Sequence, residues 1–316
     1  MRVLVTGAAG FVGQHLVRDL LRAGCDVFAG TTDDTLPVSG TLSEAEHAAA
    51  EWVILDVTRE DTLARSIALA RPAIVYHLAG QSSVAGSFAD RRSTWDVNAS
   101  GTLRLLSALR EGGCEGSRVL LASSAEVYGN VPEAEQPISE DRPLCPASPY
   151  ASSKAAAEML AIEASLTGGP EVIVARSFNH IGPGHDARFA LPSFAHQLAK
   201  FREDGAERVL QVGNLEVRRD LLDVRDAVAA YRLLVRDGDA GNTYNVCSGR
   251  ARDLREVVDE LVRISGTGAR IAVDPERLRT VDIPLLVGDG SKLRRLGWEP
   301  MIPLAETLAD LFSSVS

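Results

Sequence analysis

Tyr150 and Lys154 stand at positions i and i+4 of a stretch without internal proline, so on a helix they share one face, one turn apart. An ammonium close to a phenol favours the phenolate and draws a reference pKa of about 10 towards a usable range, which makes the tyrosine a proton donor or acceptor for a carbinol–carbonyl pair. Ser124, at the end of an apolar run, can donate a hydrogen bond to the same reacting oxygen. Glu126 follows in Ser124-Ala125-Glu126 and reads equally as a base at carbon or as an anchor for neighbouring loops. Tyrosine and lysine also fall at this spacing on ordinary surface helices, so the pair gains its weight from what accompanies it.

Its companion is Thr6-Gly7-Ala8-Ala9-Gly10-Phe11-Val12-Gly13, placed between a first strand and a first helix. Gly7 permits a tight turn, Gly10 lets backbone approach a pyrophosphate, and Gly13 lets helix and strand pack closely, with Phe11 and Val12 opening the helix towards the phosphates. An ordinary strand-to-helix turn is the plainer reading of one such pattern, and the strand before and helix after argue against it. An acidic side chain at the end of the second strand would accept from a ribose hydroxyl and repel a 2′-phosphate. Here Thr31 and Thr32 occupy that place and Asp33 comes late, so the expected cofactor is NADP, with NAD possible if Asp33 turns inward. Asp56, with Val57 after the third strand, is a candidate partner for an adenine amino group or a plain turn residue. Leu78, Ala79 and Gly80 end the fourth strand. Gln81, Ser82 and Ser83 follow at the sheet edge where open α/β folds bind ligands, as sugar contacts or as a polar loop.

The elements that must position these residues alternate. Short β-branched runs at 3–6, 26–29, 52–55, 73–78 and 118–122 are separated by amphipathic stretches such as 12–23, a rhythm of βαβ units on a parallel sheet. Residues 98–110 and 150–167 have helical periodicity. After a strand at 173–176 the texture turns to Gly182-Pro183-Gly184 and short helices such as 192–202, the start of a smaller lobe. The predicted fold is a Rossmann-type, doubly wound parallel sheet with a smaller C-terminal α/β substrate lobe. Residues 1–176 form the dinucleotide domain with 219–247 returning to it, and 177–218 and 248–316 form the lobe. Residues 31–43 read as a surface loop.

A chain of 316 residues with 45% hydrophobic content supports a large core. A formal charge of −10 without a basic run excludes a nucleic-acid partner, since phosphate backbones are held by clustered Lys and Arg; an anionic substrate must be held by a few placed cations. The chain opens on its first strand and has no signal peptide or apolar run of spanning length, so no membrane partner and a cytoplasmic location are expected. Cys25, Cys114, Cys145 and Cys247 lack CxxC spacing and read as small apolar filler, with no metal site.

Taken together, TGAAGFVG, HLAG at His77 to Gly80, Asn98 in NASGT, SSAEVYG at Ser123 to Gly129 and YASSK at Tyr150 to Lys154 resemble the extended short-chain dehydrogenase/reductase family nearly end to end. The resemblance implies a Ser–Tyr–Lys catalytic set, Asn98 at the cofactor, a nucleotide-sugar lobe, and a homodimer formed through a four-helix bundle by helices 98–110 and 150–167. In sugar-nucleotide 4,6-dehydratases of this family the matching turn resembles Thr-Asp-Glu or Thr-Ser-Glu, with a residue that assists elimination where Ala125 stands. Segments 175–184, 215–226, 244–249 and 274–279 resemble GDP-4-dehydro-6-deoxy-D-mannose reductases. That implies reduction of a C4 ketone to GDP-D-rhamnose, with Asn179, Arg219 and Arg279 on a GDP-sugar diphosphate, for which guanidinium forks suit phosphate oxygens. A GDP-mannose 4,6-dehydratase, a nucleotide-sugar C4 epimerase and a non-catalytic dinucleotide sensor are the alternatives.

Overall fold

The structure is a computed structural model that describes residues 1–32, 41–204, 208–278 and 282–316, so Asp33 and most of the loop at 31–43 lie outside the described residues. Six strands, β1 (Arg2–Thr6), β2 (Asp26–Thr31), β3 (Glu51–Ile54), β4 (Ile74–His77), β5 (Arg118–Ser124) and β6 (Glu171–Ser177), are joined by Thr243–Val246 in one sheet. The spatial order is Thr243–Val246, β6, β5, β4, β1, β2, β3, every pairing parallel. This is the doubly wound order with its reversal between β1 and β4, where such sheets open a crevice at their carboxyl ends.

Side-chain alternation explains why both faces are covered. Val3 and Val5 of β1 and Ile173 and Ala175 of β6 enter one core with Leu16, Val17, Leu20, Tyr231 and Leu234. Leu4, Val172 and Val174 point the other way, against Leu63, Leu105, Leu109 and Ala161. A period of two on strands buried from both sides yields the continuous apolar runs of the sequence. Helix Phe11–Arg22 lies on the first face, and helices Glu60–Ala70, Gly101–Glu111 and Pro149–Leu166 on the second.

A third core is separate. Helices Ala190–Asp204, Leu254–Ser265 and Leu304–Ser313 close over Leu210, Val212 and Leu221. The strand Arg218–Asp223, expected to return to the main sheet with 219–247, does not do so. It pairs with Ala251–Asp253, Leu285–Leu286 and Asn179–Ile181 in a sheet of its own. The helix that follows, Val224–Asp237, carries Ala227, Val228, Tyr231 and Leu234 onto the main core. The chain therefore crosses between sheets at Asp223, whose side chain accepts from Arg225 N at 2.8 Å and caps that helix.

Two smaller expectations also change. The helix expected at 98–110 begins as a π-helical turn, Asp96–Ser100, before the α-helix Gly101–Glu111; the wider turn carries Asn98, and such turns are enriched at functional sites. Cys114 and Cys247 are buried, whereas Cys145 is exposed and fills no core. Among the described residues, no helix is long and apolar enough to cross a membrane.

Candidate active site

The carboxyl ends of the strands open on a cleft of about 1420 Å³ lined by the glycine turn, Ser124, Glu126 and Tyr150. Gly7 holds φ at +68°, and a Cβ there would lie 2.8 Å from Ala79 N, so this turn presses against the end of β4. A Cβ on Gly13 would stand 2.3 Å from Gly7 O. Gly10 is the N-cap of helix Phe11–Arg22 and makes no side-chain bond to the first turn, which leaves helix amides directed at the cleft. These features fit a pyrophosphate: a bare backbone, a helix N-terminus and no space for a methyl group.

A buried polar chain holds this turn to β4. Ala79 N donates to Thr6 Oγ1 at 3.0 Å, Thr6 Oγ1 meets His77 Nδ1 at 2.8 Å, His77 Nε2 meets Thr102 Oγ1 at 3.1 Å, and Thr102 Oγ1 donates to Asn98 O at 2.7 Å. Since Thr102 gives its proton to the carbonyl, it must accept from His77 Nε2–H, and Thr6 then donates to Nδ1. The chain is consistent with one neutral tautomer. Burial, helped by the Lys154 charge, pushes His77 down to about 3.

The catalytic candidates come from β5 and from helix Pro149–Leu166. Ser148 caps that helix by accepting from Ala151 N at 3.1 Å, and Pro149 stands at its first turn. Ser124 and Tyr150 both line the cleft, and the serine hydroxyl lies near enough to the phenol to oppose the effect of its burial. Tyr150 does not have the raised acidity expected from its lysine. Burial pushes the phenol up to about 12; Ser124 pulls against that, and the Glu126 carboxylate adds to it, while Lys154 is not among the leading influences. The reason is geometric: Lys154 Nζ donates to Ala122 O at 2.9 Å and lies 3.2 Å from where a Gly80 Cβ would be. Burial brings the ammonium down to about 8, with Glu158 opposing.

The remaining candidates divide into three groups. Gly7, Gly10, Phe11, Val12, Gly13, Thr31, Thr32, Asp56, Val57, Leu78, Ala79, Gly80, Gln81, Ser82, Ser83 and Asn179 all line the cleft. Thr31 is buried and Thr32 exposed. Asp56 also braces a turn, its Oδ1 accepting from Thr58 N at 2.8 Å and Thr58 Oγ1 at 2.7 Å. Asn98 is not among the lining residues; its Oδ1 accepts from Gln81 N at 2.8 Å, and its Nδ2 donates to Gln81 O at 3.0 Å and Ser153 Oγ at 2.9 Å. Both ends of the amide are engaged in joining the β4 loop to the catalytic helix. Arg219 is likewise not in the lining; its Nη2 donates to Asp282 Oδ1 at 2.8 Å, and that carboxylate takes up the charge expected for a diphosphate. Arg279 lies outside the described residues.

The structure adds residues that spacing rules pass over. Ser177 pairs with Ser124 in the β5–β6 register, lines the cleft and meets Tyr231 OH at 2.6 Å. Its place at a strand's carboxyl end was the available signal. Phe11 stacks on His185 with ring centroids 4.2 Å apart and planes 2° from parallel, and His15 Nε2 donates to Pro183 O at 2.9 Å. Through these contacts the Gly182-Pro183-Gly184 loop sits on the dinucleotide helix. Arg188 and His196 line the opposite side, marked by no motif.

Comparison with known proteins agrees with this geometry. Residues 4–311 match the family model described as GDP-mannose 4,6 dehydratase. The GDP-6-deoxy-D-mannose reductase of Pseudomonas aeruginosa is 38% identical over 315 residues, covering 99% of this chain and 96% of the relative. The solved structure of RMD from Pseudomonas aeruginosa complexed with NADPH superposes with a TM-score of 0.82 at 36% identity, covering 99% of this chain and 98% of that one. The Thermus thermophilus UDP-glucose 4-epimerase in complex with NAD gives 0.87 at 30% identity, covering 100% and 99%.

Proposed function

The chain belongs to the GDP-mannose 4,6-dehydratase-like family of extended short-chain dehydrogenases/reductases, and from that premise we propose that it reduces the C4 ketone of GDP-4-dehydro-6-deoxy-D-mannose to GDP-D-rhamnose with NADPH. As a family member it is an NAD(P)-dependent oxidoreductase. When bound, the reduced nicotinamide supplies the hydride. Tyr150 gives its proton to the C4 oxygen, and Ser124, beside it in the cleft lining, holds the oxygen in line. A phenol held up to about 12 by burial keeps its proton until a carbinol oxygen forms, as a donor should. Lys154, whose Nζ donates to Ala122 O at 2.9 Å, would hold the ribose of the bound cofactor.

One observation favours reduction over dehydration. Ala125 is 1% exposed and packed among Val127, Tyr128 and Phe178, so the residue beside Glu126 can neither give nor take a proton. Glu126 itself lines the cleft and supports a GDP-mannose 4,6-dehydratase as the second reading. NADP is favoured by Thr32 at the cleft and by the NADPH complex of the Pseudomonas aeruginosa structure. Asn179 and Arg188 line the cleft, and in this reading they meet the diphosphate, Arg188 from an exposed ion pair with Asp186. Incubation with the 4-keto GDP-sugar and NADPH tests the reading: loss of reduced cofactor equal to the sugar reduced supports a reductase, and turnover with no net cofactor consumption rejects it.

We also propose a homodimer through helices Gly101–Glu111 and Pro149–Leu166, which leave Leu103 and Met159 half exposed on their outer faces. Met159→Glu should shift the mass seen by light scattering from dimer towards monomer; an unchanged mass rejects this interface. A cytoplasmic location remains part of the same proposal.

A further inference from the structure

Behind the catalytic helix lies a charged pair that no step so far uses. Glu158 is 0% exposed, one turn beyond Lys154 on helix Pro149–Leu166. Arg176 Nε donates to both its oxygens at 3.1 Å and Nη2 to Oε2 at 2.8 Å. Ser123 Oγ donates to Oε1. Ser123 and Arg176 face each other in the β5–β6 register, and the next pair along is Ser124 and Ser177. The carboxylate is therefore gripped from two strands, one residue before Ser124 and Ser177, which line the cleft together with Ser123. The grip extends further: Arg176 Nη1 donates to Tyr128 OH at 3.0 Å and Glu140 O at 3.2 Å, and Tyr128 OH donates to Asn245 Oδ1 at 2.7 Å on the last strand of the sheet.

A buried ion pair is weak ground for stability, because removing two charges from water offsets most of their attraction, and apolar side chains of similar volume often do as well. What such a pair does well is to specify position: its geometry is directional, and breaking one partner is severe. We propose that Glu158 is a positioning residue for Tyr150 and Lys154: held by Ser123 and Arg176, it fixes the helix against the strand ends that carry Ser124 and Ser177 and sets a negative charge behind the lysine. The inference rests on the reading of Tyr150 and Lys154 given above.

The surroundings of Lys154 show how few charges compete. Its own helix contributes Tyr150 and Glu158, β5 the Ala122 carbonyl, the β4 end Gly80 and the neutral His77, and the π-helical turn Asn98. Arg176 comes from β6 and reaches Lys154 only through Glu158, with Tyr128 and Glu140 beyond it. Burial lowers the ammonium and Glu158 opposes that fall, so neutralising the carboxylate must lower it further.

The chain has three lysines, Lys154, Lys200 and Lys292, so 13C-lysine NMR can follow Lys154 directly, assigned by Lys200→Arg and Lys292→Arg. In Glu158→Gln, its titration midpoint should fall by about one pH unit, the alkaline limb of kcat should move down with it, and kcat at the optimum should drop about tenfold at unchanged NADPH affinity. Glu158→Asp, which keeps the charge, should restore most of the midpoint. Should Arg176 left alone prevent folding, the neutral pair Glu158→Gln with Arg176→Met carries the same readout. An unmoved midpoint overturns the proposal whatever the change in stability. Because the titration needs no substrate, it stands apart from the reductase assay, whose failure would overturn the reading of the site and not the clamp.

Discussion

The two walls of the cleft are made of different materials. The dinucleotide wall is backbone: Gly7, Gly10 and Gly13 with Ala79 and Gly80, small residues set so that amides can approach a phosphate. The opposite wall is side chain: Ser124, Glu126, Tyr150, Asn179, His180, Arg188 and His196, drawn from separate segments. A backbone wall recognises a phosphate without regard to the reaction that follows. A side-chain wall chooses the reaction, because protons move between hydroxyls, carboxylates and imidazoles. Exchanging single residues on the second wall can therefore change chemistry on an unchanged fold.

The largest effect that would sharpen this contrast is at the side-chain wall. Tyr150→Phe removes the proposed proton donor from the cleft lining and should lower kcat about a thousandfold. NADPH affinity, measured by fluorescence titration, should stay within about twofold, since no phosphate contact is lost. Retained turnover would remove Tyr150 from the chemistry. Gly13→Ala should do the converse. Its Cβ meets backbone, Gly7 O at 2.3 Å, and no rotamer relieves that. NADPH affinity should weaken about a hundredfold, roughly 2.7 kcal/mol, with kcat at saturation little changed. Unaltered affinity would mean the phosphates do not rest on this turn.

The same contrast explains what could be read before the fold was known. A close backbone approach requires glycine at fixed offsets, and a parallel sheet buried on both faces requires apolar runs, so the turn, β1 to β6 and the Tyr150–Lys154 spacing are all local and visible. The partner of Arg219 was not legible, because Asp282 is 63 residues away and no local pattern shows which carboxylate pairs with an arginine. The same holds for Asn98, whose amide is engaged by Gln81 and Ser153, contacts that its place in the sequence does not show. The acidity of Tyr150 could not be read at all, since spacing places a lysine nearby without saying that its ammonium turns to Ala122 O. Arg218–Asp223 has strand character, yet choosing between two sheets is a matter of tertiary pairing.

Between the walls stands His77, a side chain that supports the backbone wall, and its effect should be the smallest. It is neutral in the folded protein, pushed down to about 3 by burial, while an unfolded chain protonates it near its ordinary value of about 6.5. Between those two values the unfolded state binds more protons, so stability rises with pH and is lost as pH falls from about 6.5 towards 3. His77→Gln removes the titration and keeps an amide able to bridge Thr6 and Thr102. At neutral pH the variant should be less stable by about 1 kcal/mol, the worth of one imperfect hydrogen bond. Urea unfolding at a series of pH values should then show wild type losing stability faster on acidification, so that the two curves converge. Parallel curves would mean that His77 takes up its proton in the native state as readily as in the unfolded one, with both ring nitrogens donating and Thr6 Oγ1 accepting from Nδ1.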